Sequence, residues 1–370
     1  MEEQSRQNET REVTVMEPAP KKEKFGITGS TLKIIAIVSM FIDHFGAAIV
    51  EFYLYQILKP YDADYCKALI CSKAPWLWME WMGDPEKVNS LDITLRSIGR
   101  LAFPIFCFLL VEGFLHTRNM KKYLVRLGIF ALVSEPFFDM AFFGKFSMDH
   151  QNVFFTLFIA VLALLAADHV KKQERFSGFH RFVDKIGILI AGVFGVYLSL
   201  TSMGRIIGMI PNIFIVIADS IGFGPAPMPE LSELVQSIIS GVCGFVFGIV
   251  FWLIKTGKAD AEIRMRLNVG MLYVLGFFTL AELLRTDYGG WGVLAVVVMW
   301  LVRPAWMNGF TAGVLALTIM SFGEATAFIS ALPVEMYNGK RGLKMKYFFY
   351  LFYPLHLLLF VLIRRYLIGI

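Results

Sequence analysis

Residues 31–50 read TLKIIAIVSMFIDHFGAAIV, an apolar stretch broken by Lys33, Asp43 and His44. Its length and composition are those of a membrane-crossing helix. At about 100° and about 1.5 Å per residue, Lys33 and His44 point within about 20° of each other and lie roughly 16 Å apart along the axis. A Lys33 that snorkels at one surface puts His44 near the middle of a hydrocarbon layer about 30 Å thick. A histidine at that depth is costly unless it is paired or lines a pathway.

The rest of the chain supports a membrane setting. Of its 370 residues 56% are hydrophobic and the mean hydropathy is +0.60, above the range of soluble domains. A polar lead precedes the first apolar run, which excludes a cleaved signal peptide and predicts a disordered cytoplasmic tail over residues 1–28. The net charge of +5 gathers in short connectors such as HTRNMKKY and KKQERF, as topology and headgroup contacts require. No nucleic-acid-reading motif is present. Four cysteines are too few for a disulfide scaffold, although Cys66 and Cys71 share a polar connector that would allow one bridge in an oxidising compartment. Neither CxxC nor HExxH occurs, so no metal is expected.

About ten or eleven spans are predicted, near 31–55, 97–116, 122–143, 152–170, 185–203, 205–223, 234–256, 266–285, 288–303, 308–332 and 345–368. The expected fold is therefore all-α, a polytopic membrane helical bundle. Lys21, Lys22 and Lys24 place the N-terminus in the cytoplasm, with the connectors holding Arg118, Lys121, Lys122 and Lys171, Lys172, Arg175 on the same side. Counting 185–223 as two spans keeps Lys340, Arg341, Lys344 and Lys346 inside as well, together with the proline-rich GPAPMPELSE at 224–233. The connector 56–96 carries PWLWMEWMG, which suits an aromatic belt in the outer interface or a lid over an outward-facing cavity. No internal repeat supports a transporter of duplicated halves.

Further polar residues fall within the apolar stretches. Asp43 and His44 are adjacent and so point about 100° apart, which sends Asp43 toward another helix, with Arg100 as candidate partner. Pro104 predicts a kink in the second span, which ends in Glu112, His116 and Arg118. Glu112 and His116 share a helix face, as do Glu135 and Asp139, and Asn152 opens the next span; these residues line an acceptor side or cap helices at the interface. Near the C-terminus an Asn338-Gly339 turn and a cationic loop precede Tyr353, Pro354 and His356. A loop of that kind sets topology or binds a phosphate-bearing ligand, and His356 is either a second working histidine or one packed against a carbonyl.

The blocks LKIIAIVSMFIDHFG, IGRLAFPIFCFLLVEGFLHTRNMKKYLVRLGIFALVSEPFFD, QNVFFTLF, LLRTDYGGWGVL and YNGKRGLKMKYFFYLFYPLHLL resemble the TraX family of bacterial membrane proteins, whose namesake acetylates the N-terminus of conjugative pilin. The resemblance covers the first 170 residues and about the last 110, and residues 172–262 look like an insertion in a single domain spanning 29–370. More widely, a basic residue followed eleven positions later by histidine is similar to type-three membrane acyltransferases, with Lys33 here for arginine and Glu112 in place of a serine. That resemblance implies a transmembrane acyltransferase fold, shared more distantly with heparan-α-glucosaminide N-acetyltransferase. It also implies a multi-pass protein of the bacterial inner membrane that uses cytoplasmic acetyl-CoA as donor.

With that implication, His44 is the expected general base and Asp43 its companion in the catalytic pair. An acetyl-histidine intermediate on His44 is the variant. Lys33, Arg100, Arg118, Lys121, Lys122, Arg126, Asn338, Lys340 and Arg341 are the expected residues for the donor's phosphates. Glu112, His116, Glu135, Asp139, Asn152, Tyr353 and His356 are expected on the acceptor side, where the acceptor is a peptide, glycan or lipid. A proton-coupled transporter using Asp43, His44, Glu135 and Asp139 as a relay is the alternative. A third reading takes the polar residues as interhelical joints of a channel-like or assembly protein.

Overall fold

The computed structural model describes residues 26–203, 233–303, 306–344 and 346–368. Most of the expected tail, the span at 205–223 and nearly all of the proline-rich segment lie outside the described residues. Among those that are described, the secondary structure is helical, apart from two isolated parallel bridges, Ile27 with Tyr337 and Gln151 with Thr286.

The first helix, α1 (Gly29–Phe45), begins where the Thr28 side chain accepts from the Thr31 amide at 3.3 Å. The amides of a helix's first turn have no partners within the helix. Here Gly29 and Ser30 donate theirs to the carbonyls of Lys340 and Arg341, at 2.8 and 3.0 Å. The C-terminal cationic loop is thereby pinned to the start of α1. Gly342 makes the fit possible: its φ is +73°, and a Cβ there would strike the side chains of Thr28 and Ser30. Past Phe45 the chain widens into π-helical turns over Gly46–Glu51 and Tyr53–Leu58, so one helical rod of 30 residues runs from Gly29 to Leu58. His44 sits in the last regular turn before that widening.

A small apolar cluster caps this end of the rod. Tyr53, Leu54, Ile57 and Leu58 pack with Cys66 and Ile70 of α2 (Ala63–Lys73) and Val88 of α3 (Pro85–Gly99). Trp78 and Trp81 pack against the cluster, whereas Trp76 is exposed, and none of the three lines the cavities that contain His44 and Lys33. All four cysteines are free thiols; Cys66 and Cys71, five residues apart on α2, point about 140° apart.

The main core joins α1 to α4 (Ala102–His116), α5 (Met120–Phe142), α6 (Val153–Lys172), α11 (Gly289–Leu301), α12 (Trp306–Met320) and α14 (Lys346–Ile368). Between α6 and α11 lie α7 (Gly178–Lys185), α8 (Gly187–Leu198), α9 (Glu233–Thr256) and α10 (Ala261–Leu283). A Cβ on Gly195 or Gly248 would meet backbone of the facing helix, so small residues set the close approach of α8 and α9. The short helix α13 (Ala331–Glu335) precedes the pinned loop.

Six helices are long and apolar enough to cross a membrane, or seven if the bent pair Gly178–Lys185 and Gly187–Thr201 counts as one span. The predicted stretches at 288–303 and 308–332 form shorter apolar helices, and the 23 residues of α5 fall outside the six. An all-α polytopic bundle is therefore present, with fewer full-length spans among the described residues than the apolar runs predict. The expected kink at Pro104 is absent because this proline falls in the first turn of α4, where no intrahelical amide bond is lost; the break comes earlier, at Arg100 and Leu101.

Candidate functional site

Two cavities open at opposite ends of the bundle. One, of about 590 Å³, is walled by the later turns of α1, the start of α4, the end of α5 and the turn before α11; it contains Asp43, His44, Glu51, Arg96, Arg100, His150, Asp287 and Tyr288. The other, of about 780 Å³, is walled by the start of α1, the end of α4 and the starts of α5 and α14; it contains Lys33, Glu112, His116, Arg118, Arg126 and Arg341. Lys33 and His44 share a helix but serve different chambers. Both volumes fall within the usual range for small-molecule sites.

In the His44 cavity, His44 Nδ1 lies 2.7 Å from His356 Nε2, and His356 Nδ1 lies 2.7 Å from the Phe352 carbonyl oxygen. The chain of contacts fixes the tautomers of two neutral rings. The carbonyl can only accept, so His356 carries its proton on Nδ1, its Nε2 accepts, and His44 must donate from Nδ1. That leaves a lone pair on His44 Nε2. The edges of Phe142 and Tyr353 pack against the His44 ring at centroid distances of 5.3 and 5.7 Å, holding its plane. His356 is thus packed against a carbonyl, one of the two alternatives open in the sequence, and its other ring nitrogen meets His44.

Asp43 does turn to another helix, but its partner is Arg96, whose Nη1 donates to Asp43 Oδ2 at 2.7 Å. Arg100, one turn later on the same face, pairs instead with the buried Glu324 at 2.9 Å. Gly99 lies between them, and a Cβ on it would overlap the Asp43 side chain. The other oxygen of Asp43, Oδ1, is buried and has no hydrogen-bond partner.

The far wall of this cavity comes from a segment that sequence reasoning valued only as a family block. Tyr288 has φ +62° and stacks on Phe103 at 3.7 Å, and Gly289 follows at φ +47°. Two positive-φ residues in succession turn the chain sharply, projecting Asp287 and Tyr288 into the cavity. Asp287 also faces the loop before α6, where His150 Nε2 lies 3.8 Å from its Oδ1, within ion-pair distance. This carboxylate holds the His150 pKa above the ordinary histidine value. Arg96, Glu51, His150, Asp287 and Tyr288 were all missed in the sequence, and the Asp-Tyr-Gly-Gly turn was the one local signal for the last two.

The Lys33 cavity gathers cations. Lys33, Arg118, Arg126 and Arg341 line it, with Lys33 Nζ 5.4 Å from the Phe349 ring. Glu112 and His116, expected with the acceptor, lie here too: Glu112 pairs with Arg303 at 2.5 Å, and His116 Nδ1 is 2.9 Å from the Glu112 carbonyl oxygen. Arg100, expected with the donor's phosphates, is instead in the His44 cavity, because it lies about three turns before Glu112 along the Pro85–His116 span and so at the opposite end. Lys121 and Lys122 are exposed and lie off the cavity wall, as does Lys340. Asn338 is committed to the loop: its Nδ2 donates to the Gly26 carbonyl at 3.0 Å and its Oδ1 accepts from the Lys340 amide at 2.9 Å.

Glu135, Asp139 and Asn152 brace the chain between α5 and α6 and do not line either cavity. Asn152 caps α6 through the Phe154 amide at 2.9 Å and donates from its backbone and side chain to Glu135. Asp139 accepts from the Ser147 amide at 3.1 Å. Arg364 donates to the carbonyls of Met140 and Ala141, at 2.6 and 2.9 Å, closing the end of α5 beside the cavity wall.

These features define a helical, multi-pass membrane protein with a buried histidine pair between a mixed-charge chamber and a cationic one. The TraX protein family model matches residues 28–218 and 244–364, and the chain belongs to that family. The match runs through 172–218, which leaves 219–243 as the unmatched part of the stretch that looked inserted. A probable fimbrial assembly protein, FimC of serogroup H1, from Dichelobacter nodosus is 46% identical over 79 residues. That alignment spans 19% of this chain and 32% of the relative. No solved structure matches the chain.

Proposed function

We propose that this protein is a membrane-embedded acetyltransferase that moves an acetyl group from cytoplasmic acetyl-CoA to an amine or hydroxyl of a membrane-associated or extracytoplasmic acceptor. The observation that carries this reading is the His44–His356–Phe352 contact chain, which leaves His44 Nε2 as a free base in a cavity wall. An attacking amine or hydroxyl must lose a proton, and an oriented neutral imidazole is the usual acceptor for it. His44 Nε2 takes that proton as the acceptor's nitrogen or oxygen bonds to the thioester carbonyl carbon. The tetrahedral intermediate then collapses, the carbon–sulfur bond breaks, and the imidazolium returns the proton to the leaving thiolate. Asp43 lines the same cavity beside His44, and Arg96 fixes its carboxylate through Oδ2, so that it would help orient the acceptor.

The donor's phosphates and nucleotide need cations at the surface while the thioester reaches inward. Lys33, Arg118, Arg126 and Arg341 supply them around one chamber, at the end that the distribution of lysine and arginine assigns to the cytoplasm. The fimbrial assembly relative makes a fimbrial or pilus subunit a reasonable class of acceptor, beside glycans and lipids.

A proton-coupled transporter gains less support. Its relay residues do not connect: Asp43 is paired with Arg96, while Glu135 and Asp139 hold the loop before α6. The test is transfer of labelled acetyl from acetyl-CoA to membrane components in reconstituted vesicles, with mass spectrometry of peptides, glycans and lipids to locate the product. Transfer that His44→Ala abolishes without loss of folded protein supports the reading. Absence of both transfer and acetyl-CoA binding by the parent protein would overturn it.

A further inference from the structure

The two cavities share no lining residue, yet they come within one side chain of each other. On α6, Val153 faces the His44 cavity and the next residue, Phe154, faces the Lys33 cavity. On α4, Phe103 and Phe106 divide in the same way, one turn apart. Tyr353 of α14 lines neither. It is 2% exposed, and its ring packs edge-on against Phe154 at 5.0 Å on one side and His44 at 5.7 Å on the other.

Along α14, Tyr350 lies in the Lys33 cavity, Tyr353 in the wall, and His356 against His44, each three residues on. Phe154 in turn contacts Tyr350 at 6.2 Å. An aromatic column therefore runs from one chamber to the other. Pro354, next to Tyr353, has no amide hydrogen for the Tyr350 carbonyl, which removes one helical hydrogen bond beside the wall. Two chambers meeting inside a membrane need a dry barrier, and aromatic rings packed edge to face form one by excluding water.

We propose that Tyr353, backed by Phe154, is the gate that separates the two chambers and that must move aside to bring a group in the Lys33 cavity to His44. The proposal rests on the acetyl-transfer reading only for what passes; the barrier itself is a property of the bundle. Its test therefore uses no acyl donor.

Ala47, which lines the His44 cavity, is replaced by cysteine in a protein whose four native cysteines are substituted, and reconstituted vesicles are exposed to a membrane-impermeant thiol reagent from either face. Lys121→Cys, on the exposed start of α5, marks the face onto which the Lys33 cavity opens. With Tyr353 intact, Cys at position 47 should react only from the other face. In Tyr353→Ala or Phe154→Ala it should also react from the Lys121 face, rising from background to a rate comparable with the first. Tyr353→Phe keeps the ring and should stay sealed. Tyr353→Leu, a milder change, serves if the alanine variants do not fold, and should leak. Labelling from both faces in the parent protein, or from one face only in folded ring-less variants, would overturn the proposal. Either result is independent of whether acetyl is transferred.

Discussion

His44 Nδ1 and His356 Nε2 lie 2.7 Å apart although 312 residues separate them in the chain. The pair gives His356 the task of fixing which nitrogen of His44 is free. Removing the base and removing the residue that orients it therefore have different outcomes. His44→Ala is expected to lower transfer by about 10²–10⁴-fold, the usual contribution of a general base. His356→Ala keeps the base but frees its tautomer and should cause a smaller loss of kcat, with KM for the donor unchanged. His356→Gln can present a carbonyl to His44 Nδ1–H and should recover part of that loss. Steady-state kinetics of the three variants check the order; equal activity of His356→Ala and parent would assign His356 to packing alone.

Asp43 and Arg96 form the second relationship that can be broken one side at a time. Asp43→Asn leaves the half-buried guanidinium without its carboxylate and should cost about 2 kcal/mol, as for other hydrogen bonds to charged groups. Gly99→Ala reaches the same contact from behind, since its Cβ overlaps Asp43, and overpacking of this kind costs about 1–3 kcal/mol. Thermal unfolding in detergent should show both falls. Ala at the neighbouring exposed Ile98 should leave the midpoint within error.

Much of this arrangement is legible in the sequence because it depends on helical periodicity. The apolar runs mark the helices, and the buried charges mark the helix ends that carry a site. What periodicity does not contain is contact between helices. Arg96 and Arg100 are one turn apart on a common face, so nothing local decides which of them meets Asp43; the close packing of Gly99 on α1 does. The regular spacing of Lys33 and His44 implies one chamber for both, but the aromatic rings of α4, α6 and α14 divide the space between them. Asp287 and Tyr288 enter the site through a left-handed backbone turn, for which a hydrophobicity pattern carries no signal.

His150 and Asp287 join the loop before α6 to that turn, and their contact depends on pH. The His150 pKa is raised, chiefly by the Asp287 carboxylate. The contact's contribution is therefore complete below the free-histidine value of about 6.5 and is lost as pH rises through the higher folded value. Thermal midpoints between about pH 5 and 9 should show a falling component in the parent protein. His150→Gln and Asp287→Asn should each remove that component; its persistence in either would assign it to another group.

The cations around the Lys33 cavity give the sharpest division between residues that the sequence groups together. Arg118, Lys121, Lys122 and Arg126 form one basic run at the start of α5, yet only Arg118 and Arg126 line the chamber. If that chamber holds the donor's phosphates, Arg126→Gln, Arg341→Gln and Lys33→Gln should each raise the KM for acetyl-CoA about tenfold, equivalent to about 1.4 kcal/mol, and leave kcat nearly unchanged. Lys121→Gln and Lys122→Gln place the same charge change on exposed positions and should leave both constants near the parent values. Raising the salt concentration should narrow the gap between the two sets, because screening weakens the charge attraction that the cavity arginines contribute. Equal effects from all five would mean that the basic run acts as a diffuse surface potential and that the chamber has no particular claim on the donor.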